Sequence, residues 1–242
     1  LEGRTVTEPA DLNDLCFEDK WILSKLNTVI RDVTDNMDKY ELGIAVQKVY
    51  DFLWDELCDW YIEMAKVRLW KADEDPKAAN DALWTLRTAL TEGLKLLHPY
   101  MPFITEEIYC TLLPEEESIM ISDWPVYKEA WVFPEAEKAV ESFKEAVRGI
   151  RNTRTEMNVP MNRKTSLHIV GKDAETCARY EACKKSFVNL AFAKDILVQE
   201  DKEGIGEDAV SVVVSDAVVY MPLEDLVDRE KEMERLKKEQ DR

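Results

Sequence analysis

The run Trp54-Asp55-Glu56-Leu57-Cys58-Asp59-Trp60-Tyr61-Ile62-Glu63 crowds aromatic and acidic residues together without a phosphate loop or a metal-ligand set. Around it Leu42, Val46, Val49, Leu53, Leu57, Trp60 and Met64 recur at steps of three and four, the spacing of one apolar stripe on a long amphipathic helix. Lys48, Asp55, Asp59 and Lys66 fall on the opposite side. The stretch therefore predicts a helix of an α-helical domain, with Trp and Tyr in the core or at its rim.

Upstream, residues 17 to 38 predict a first helix, with Ile22, Leu26, Val29, Val33 and Met37 on one side and Lys20, Ser24, Asn27, Arg31 and Thr34 on the other. A break at Tyr40 to Leu42 leads into the second helix, which ends near Lys71. Asp75-Pro76 is a capped start with proline at the first helical position. The third helix then carries Leu83, Leu86, Leu90, Leu94 and Leu97 toward a stop at His98-Pro99, and Pro102 opens a fourth that ends near Leu113. Four apolar stripes on short connections predict a mainly α protein, with an antiparallel helical bundle over 17–133 preceded by a connector over 1–16.

After Pro114 the pattern changes. Ser118 to Phe133, with Trp124, Pro125 and Trp131, reads as an irregular segment that wraps the bundle. A helix from Pro134 to about Glu156 follows, its stripe being Ala136, Val140, Phe143, Val147 and Ile150. Strand-like Ser166 to Val170, a helix over Ala174 to Leu190, and strand-like Asp195 to Gln199, Val210 to Val214 and Ala217 to Met221 complete a small α+β unit over 134–222. Ser215-Asp216 suits the turn of a hairpin. From Leu223, Leu226, Met233 and Leu236 fit a heptad amid mixed charge, the expected start of a coiled coil over 223–242.

Catalytic constellations are missing. His98 is expected to meet the last carbonyls of its helix, and His168 to lie on a solvated strand face. The five cysteines (Cys16, Cys58, Cys110, Cys177, Cys183) are odd in number and scattered, which suits reduced thiols in a cytoplasm. No apolar run approaches the length of a membrane span. A start at Leu1 and a stop at Arg242 within a charged helix read as an excised fragment. The net charge of -18 opposes nucleic-acid binding unless positive charge is gathered locally. It is: Lys144 to Lys164 holds six basic residues against Glu145 and Glu156, a net of +4.

WDELCDWYIEMAK (Trp54 to Lys66), LLHPYMPFITEEIY (Leu96 to Tyr109) and SIMISDWP (Ser118 to Pro125) together resemble the anticodon-binding region of class I aminoacyl-tRNA synthetases. FKEAVRGIRNTRTEMNVP (Phe143 to Pro160) and MPLEDLVDREKEMERLKKE (Met221 to Glu239) are similar to the valyl branch of that family, the latter to the start of its C-terminal coiled-coil arm. The resemblance covers nearly all of residues 12 to 242. It implies a stretch that positions the tRNA for valine and is itself non-catalytic. In such an enzyme ATP serves the catalytic part, whose HIGH and KMSKS signatures are absent here, so no cofactor is expected in this stretch. A cytoplasmic monomer without membrane contact is the corresponding expectation. The alternatives are an isoleucyl or leucyl homologue, or a helical adaptor that binds protein through its acidic faces.

Single-stranded RNA loops are recognised by stacking splayed bases on rings or Arg planes and by hydrogen bonds along base edges. On the first helix Lys20, Ser24, Asn27 and Arg31 stand at helical spacing with Lys25 alongside, and these five are candidates for RNA contact. Arg148, Arg151 and Arg154 are the others; Arg154 falls near the apolar stripe, where partial burial demands a partner such as Glu156, Glu141 or Glu145. Tyr50, Trp54 and Tyr61 flank the stripe of the second helix, either as stacking rings or as rim packing.

Overall fold

Helix α1 (Phe17–Asp38) is buried around most of its circumference, because Trp21, Ile22, Leu23, Leu26, Ile30 and Val33 all face apolar neighbours. The computed structural model describes residues 5–226 apart from Met161, and the chain divides into two units, Leu1–Glu137 and Lys138–Arg242. The protein is mostly helical with one mixed four-stranded sheet. Among the described residues no helix is long and apolar enough to cross a membrane, and none of the five cysteines is in a disulfide. The predicted coiled-coil start lies outside the described residues beyond Leu226.

In the first unit α1 ends in two interlocking bonds, Tyr40 N–H to Met37 O (2.9 Å) and Glu41 N–H to Asn36 O (2.8 Å). This is the six-to-one and five-to-two closure that places a left-handed residue just past a helix, and Tyr40 stands there with φ of 60°. Next come α2 (Leu42–Asp51), a π-helical segment (Phe52–Tyr61) and α3 (Ile62–Trp70). α4 (Pro76–Leu97), capped by Asp75 to the Ala78 N–H, and α5 (Pro102–Leu112) complete the set. α1 packs on α2, on the π-helical segment and on α4, and α4 also packs on α3 and α5.

The π-helical segment corrects the predicted stripe. Leu42 is 49% exposed and Val46 and Leu53 are only partly covered, whereas the expected Val49, Leu57, Trp60 and Met64 are buried together with Ala45, Phe52, Tyr61 and Ala65. The five-residue step from Phe52 to Leu57 reflects the wider turn of a π-helix, which shifts the face presented to the core. Gly93 of α4 permits the close approach here, since a Cβ at that position would lie 2.7 Å from Leu53 Cδ2. Tyr61 turns inward and donates to the fully buried Asp19 (2.6 Å), which Arg68 of α3 grips through both terminal nitrogens (2.6 Å each). Burial first, then the Asp19 charge, pushes the Tyr61 phenol well above its usual range, so it stays a neutral donor. Its predicted availability for stacking is thereby excluded.

The second unit contains most of α6 (Pro134–Glu156), then β1 (Thr165–Gly171), α7 (Ala174–Ala182), α8 (Lys184–Leu190), β2 (Ala193–Gln199), β3 (Val210–Val213), β4 (Ala217–Met221) and α9 (Leu223–Leu226). The sheet order is β2-β1-β4-β3, with β1 parallel to β2 and the other pairs antiparallel. The β3–β4 hairpin closes with Val214 N–H to Ala217 O, around Ser215-Asp216 as predicted. All five stripe residues of α6 are buried. The single helix predicted over Ala174–Leu190 breaks at Cys183, which is itself buried with Tyr180 and Phe187. His168 is half-buried rather than solvated, its Nδ1 enclosed without a hydrogen-bond partner, because it sits between Leu197 and Tyr220 of the neighbouring strands.

Candidate nucleic-acid interface

The polar side of α1 does not face open water. The segment from Ser118 to Phe133 has only two short 3-10 turns (Ile119–Ile121 and Glu129–Trp131), so its backbone groups need partners outside itself. Asn27 supplies two at once, its Nδ2 donating to Lys128 O and its Oδ1 accepting from Lys128 N–H, both at 2.8 Å. Ser24 Oγ accepts from Phe133 N–H (3.1 Å) and donates to Glu137, while Thr34 Oγ1 accepts from Trp124 Nε1 (3.0 Å). Ser24 is 3% exposed and Asn27 1%. Two of the five predicted α1 candidates therefore hold a strap of the protein itself and do not line a solvated face.

The three α1 cations keep partial access. Lys20 donates to Asn13 O (2.6 Å) and lies 6.0 Å from the Phe133 ring, and Lys25 is within 3.8 Å of Glu137. Arg31 is the most open, at 52% side-chain exposure, paired with Asp32 through two nitrogens and set 6.0 Å from the Tyr127 ring.

Between α1 and the π-helical segment runs a cleft of about 250 Å³. Val29 and Phe52 give it an apolar floor, and Lys25, Lys48, Asp32, Asp51 and Asp55 supply donors and acceptors around it. Burial acts upward on the Asp32 carboxyl, but hydrogen bonds and charge from Lys48 (3.1 Å) and Arg31 outweigh it and hold the group below the usual carboxylate range. Outside the cleft lining, Tyr50 and Trp54 form a parallel ring pair, 6.3 Å between centroids and 6° between planes, at 54% and 56% exposure. A flat exposed ring pair can take an unstacked base on its face, while the cleft offers hydrogen-bonding groups of its own. The Asp32–Lys48 pairing escapes the sequence reading, because an Asp–Lys pair sixteen residues apart has no local signature.

The second-unit candidates separate. Arg154 is 4% exposed and donates to Thr165 Oγ1 (2.6 Å), Arg163 O (2.6 Å) and Pro160 O (3.2 Å), with the Phe192 ring 5.4 Å away. Carbonyl and hydroxyl oxygens take the place of the predicted carboxylate, so Arg154 clamps the connection between α6 and β1. Burial, then the Arg163 charge, lowers its pKa. Arg151 Nε donates to Leu190 O (2.8 Å) from an exposed position, and Arg148 lines a charged cleft with α7 and the β3–β4 turn. His98 bonds Thr105 Oγ1 (2.7 Å) and Met120 Sδ (3.0 Å) rather than its helix carbonyls, because α5 and the strap come within its reach. Among the described residues there is no cluster of three or more metal-ligating side chains.

Residues 19–169 match the family described as the anticodon-binding domain of tRNA ligase. The chain is 47% identical over all 242 residues to a valine–tRNA ligase of Clostridium acetobutylicum and covers 27% of that protein. Identity to the valine–tRNA ligase of Clostridium tetani is 48% over 236 residues, 98% of this chain and 26% of that one. To that of Bacillus cereus it is 39% over 220 residues, 91% of this chain and 25% of that one. The chain thus spans about a quarter of the length of the curated relatives it matches.

Proposed function

We infer that this chain, which belongs to the anticodon-binding domain family of tRNA ligases, is the portion of a valine–tRNA ligase that grips the anticodon arm of the tRNA for valine. Its first unit serves as the antiparallel helical bundle of that family. ATP and valine are handled by a separate catalytic region of the enzyme, which acts in the cytoplasm as a monomer. Valine is favoured over isoleucine or leucine by the names of the relatives above.

The observation that carries the reading is the exposed Tyr50–Trp54 ring pair at the end of α2 and the start of the π-helical segment. A third aromatic plane extends such a stack without a sequence requirement, and selection among bases falls to hydrogen bonds along their edges. Lys20, Lys25 and Arg31 supply the phosphate contacts on this unit, with Arg148 and Arg151 on the second; Ser24, Asn27 and Arg154 act indirectly by fixing the strap and the α6–β1 connection. In a chain with net charge -18, contact is confined to such patches and weakens steeply as salt rises.

The test is filter binding of the anticodon stem-loop to Trp54→Ala and Tyr50→Ala variants. Both side chains are more than half exposed, so the fold is retained, and loss of one stacked base weakens binding by about 1 to 3 kcal/mol. Parental affinity in both variants would exclude the stack from the interface.

A further inference from the structure

We propose that the charged cleft of the second unit, formed by α6, the β1–α7 turn and the β3–β4 turn, is a phosphate site that takes a backbone phosphate of the bound RNA. This rests on the tRNA reading above and extends it to a surface outside the anticodon-binding cleft. The cleft measures about 470 Å³ and gathers Lys138, Arg148, Lys172 and Arg179 from three separate elements. Such convergence stands out in a chain with net charge -18.

Three carboxylates share the wall, Glu141, Glu145 and Asp216, and each is engaged by the protein, Glu141 by Lys144 (3.4 Å). Asp216 accepts from Ser142 Oγ (2.6 Å), the Tyr180 hydroxyl (2.9 Å) and Arg179 (3.2 Å). Glu145 accepts from both the backbone N–H and the hydroxyl of Ser215. Arg179 is braced between Glu175 (2.7 Å) and Asp216, which fixes its guanidinium instead of leaving it to search. Lys172 follows β1 directly, and its backbone N–H donates to Asp216 O (3.2 Å), tying this exposed lysine to the cleft.

The lining also selects the kind of ligand. Every residue around the cleft is a lysine, arginine, glutamate, aspartate or serine. No aromatic or aliphatic residue lines it, so it offers no ring for a base to stack on and no pocket of apolar side chains for a docking peptide. A charged group bound by ammonium, guanidinium and hydroxyl donors remains, which is the chemistry of a sequence-independent phosphate contact. It positions RNA without reading it.

Full tRNA for valine titrated against the whole chain at several salt concentrations tests the assignment. Lys172→Ala is expected to lower the slope of log affinity against log salt by about one, with Lys172→Arg restoring it. Lys172 is exposed, and unchanged circular dichroism confirms that the variants fold. A parental slope in Lys172→Ala overturns the phosphate site while the tRNA reading stands. Absence of any binding by the parent chain overturns that reading, and the RNA occupant with it. Inorganic phosphate followed at the Lys172 and Ser215 amides forms a second arm. Saturable shifts there with an unmoved RNA slope mark a free-anion site and refute the RNA assignment.

Discussion

Replacing Asn27 by Ala should destabilise the protein far more than replacing Arg31, although both lie on the polar side of α1. Asn27 is 1% exposed and makes two 2.8 Å bonds to the backbone of Lys128. Each hydrogen bond contributes about 0.5 to 1.5 kcal/mol net, and each buried group left unsatisfied costs about 1 to 3 kcal/mol. Alanine strands both the N–H and the carbonyl of Lys128, so the loss is on the order of 2 to 4 kcal/mol, tempered where water reaches the loosened strap. Arg31, at 52% side-chain exposure and paired with its sequence neighbour Asp32, contributes well under about 1 kcal/mol. Urea melts of the parent and the two variants supply the comparison, and stem-loop binding at low salt supplies the reverse order, Arg31→Ala losing affinity and folded Asn27→Ala retaining it. A loss below about 0.5 kcal/mol for Asn27→Ala would show that the strap is not held by this side chain.

Arg68→Ala removes both bonds to fully buried Asp19 and leaves an uncompensated carboxylate, so it should cost about 3 to 5 kcal/mol in a urea melt. Gly149→Ala should destabilise by about 1 to 3 kcal/mol despite the better helix former, because its Cβ would lie 2.5 Å from Val212 Cγ1 on a β-branched strand residue; a gain in melting temperature would contradict this packing. The depressed Asp32 carboxyl contributes stability that is fully present above the unfolded value of about 3.9 and is lost as pH falls through its lower folded pKa. Asp32→Asn should therefore be less stable than the parent at pH 7, and the gap should close in acid; a gap independent of pH would rule out the carboxylate as its source.

Helix starts at proline are legible from residue types alone, but of the α4 stripe Leu83, Leu86, Leu90, Leu94 and Leu97 only Leu94 is buried, the small Ala82, Thr85 and Ala89 taking the closest packing instead. Pro76, Pro102 and Pro134 each open a helix, and the α6 stripe from Ala136 to Ile150 is buried as spaced. The second helix was harder, because Phe52 and Leu53 are both apolar and a fixed 3.6-residue period selects Leu53. The structure selects Phe52, since the π-helical step carries the register on to Leu57 and Tyr61. On α1 the error had a different origin. Polar residues recur with one period whether they face water or another piece of chain. A clue lay in their chemistry: Ser24, Asn27 and Thr34 are short side chains that bond backbone well, whereas Lys20 and Arg31 reach outward. Arg154 was correctly placed near the core, but its carbonyl partners come from a connection whose course periodicity does not describe. Lys172 and Arg179 join Arg148 only through the sheet topology, so their convergence could not be seen along the chain.

Competition binding decides whether the first unit distinguishes anticodon bases. Labelled stem-loop of the tRNA for valine is displaced from the whole chain by an unlabelled copy and by one with exchanged anticodon bases, at several salt concentrations. Both competitors present the same stem phosphates, so the charge term is common to them and any difference comes from the bases. Displacement by the exchanged stem-loop is expected to be weaker at every salt concentration, with the difference abolished in Trp54→Ala. Equal displacement by the two stem-loops would contradict anticodon recognition by this chain.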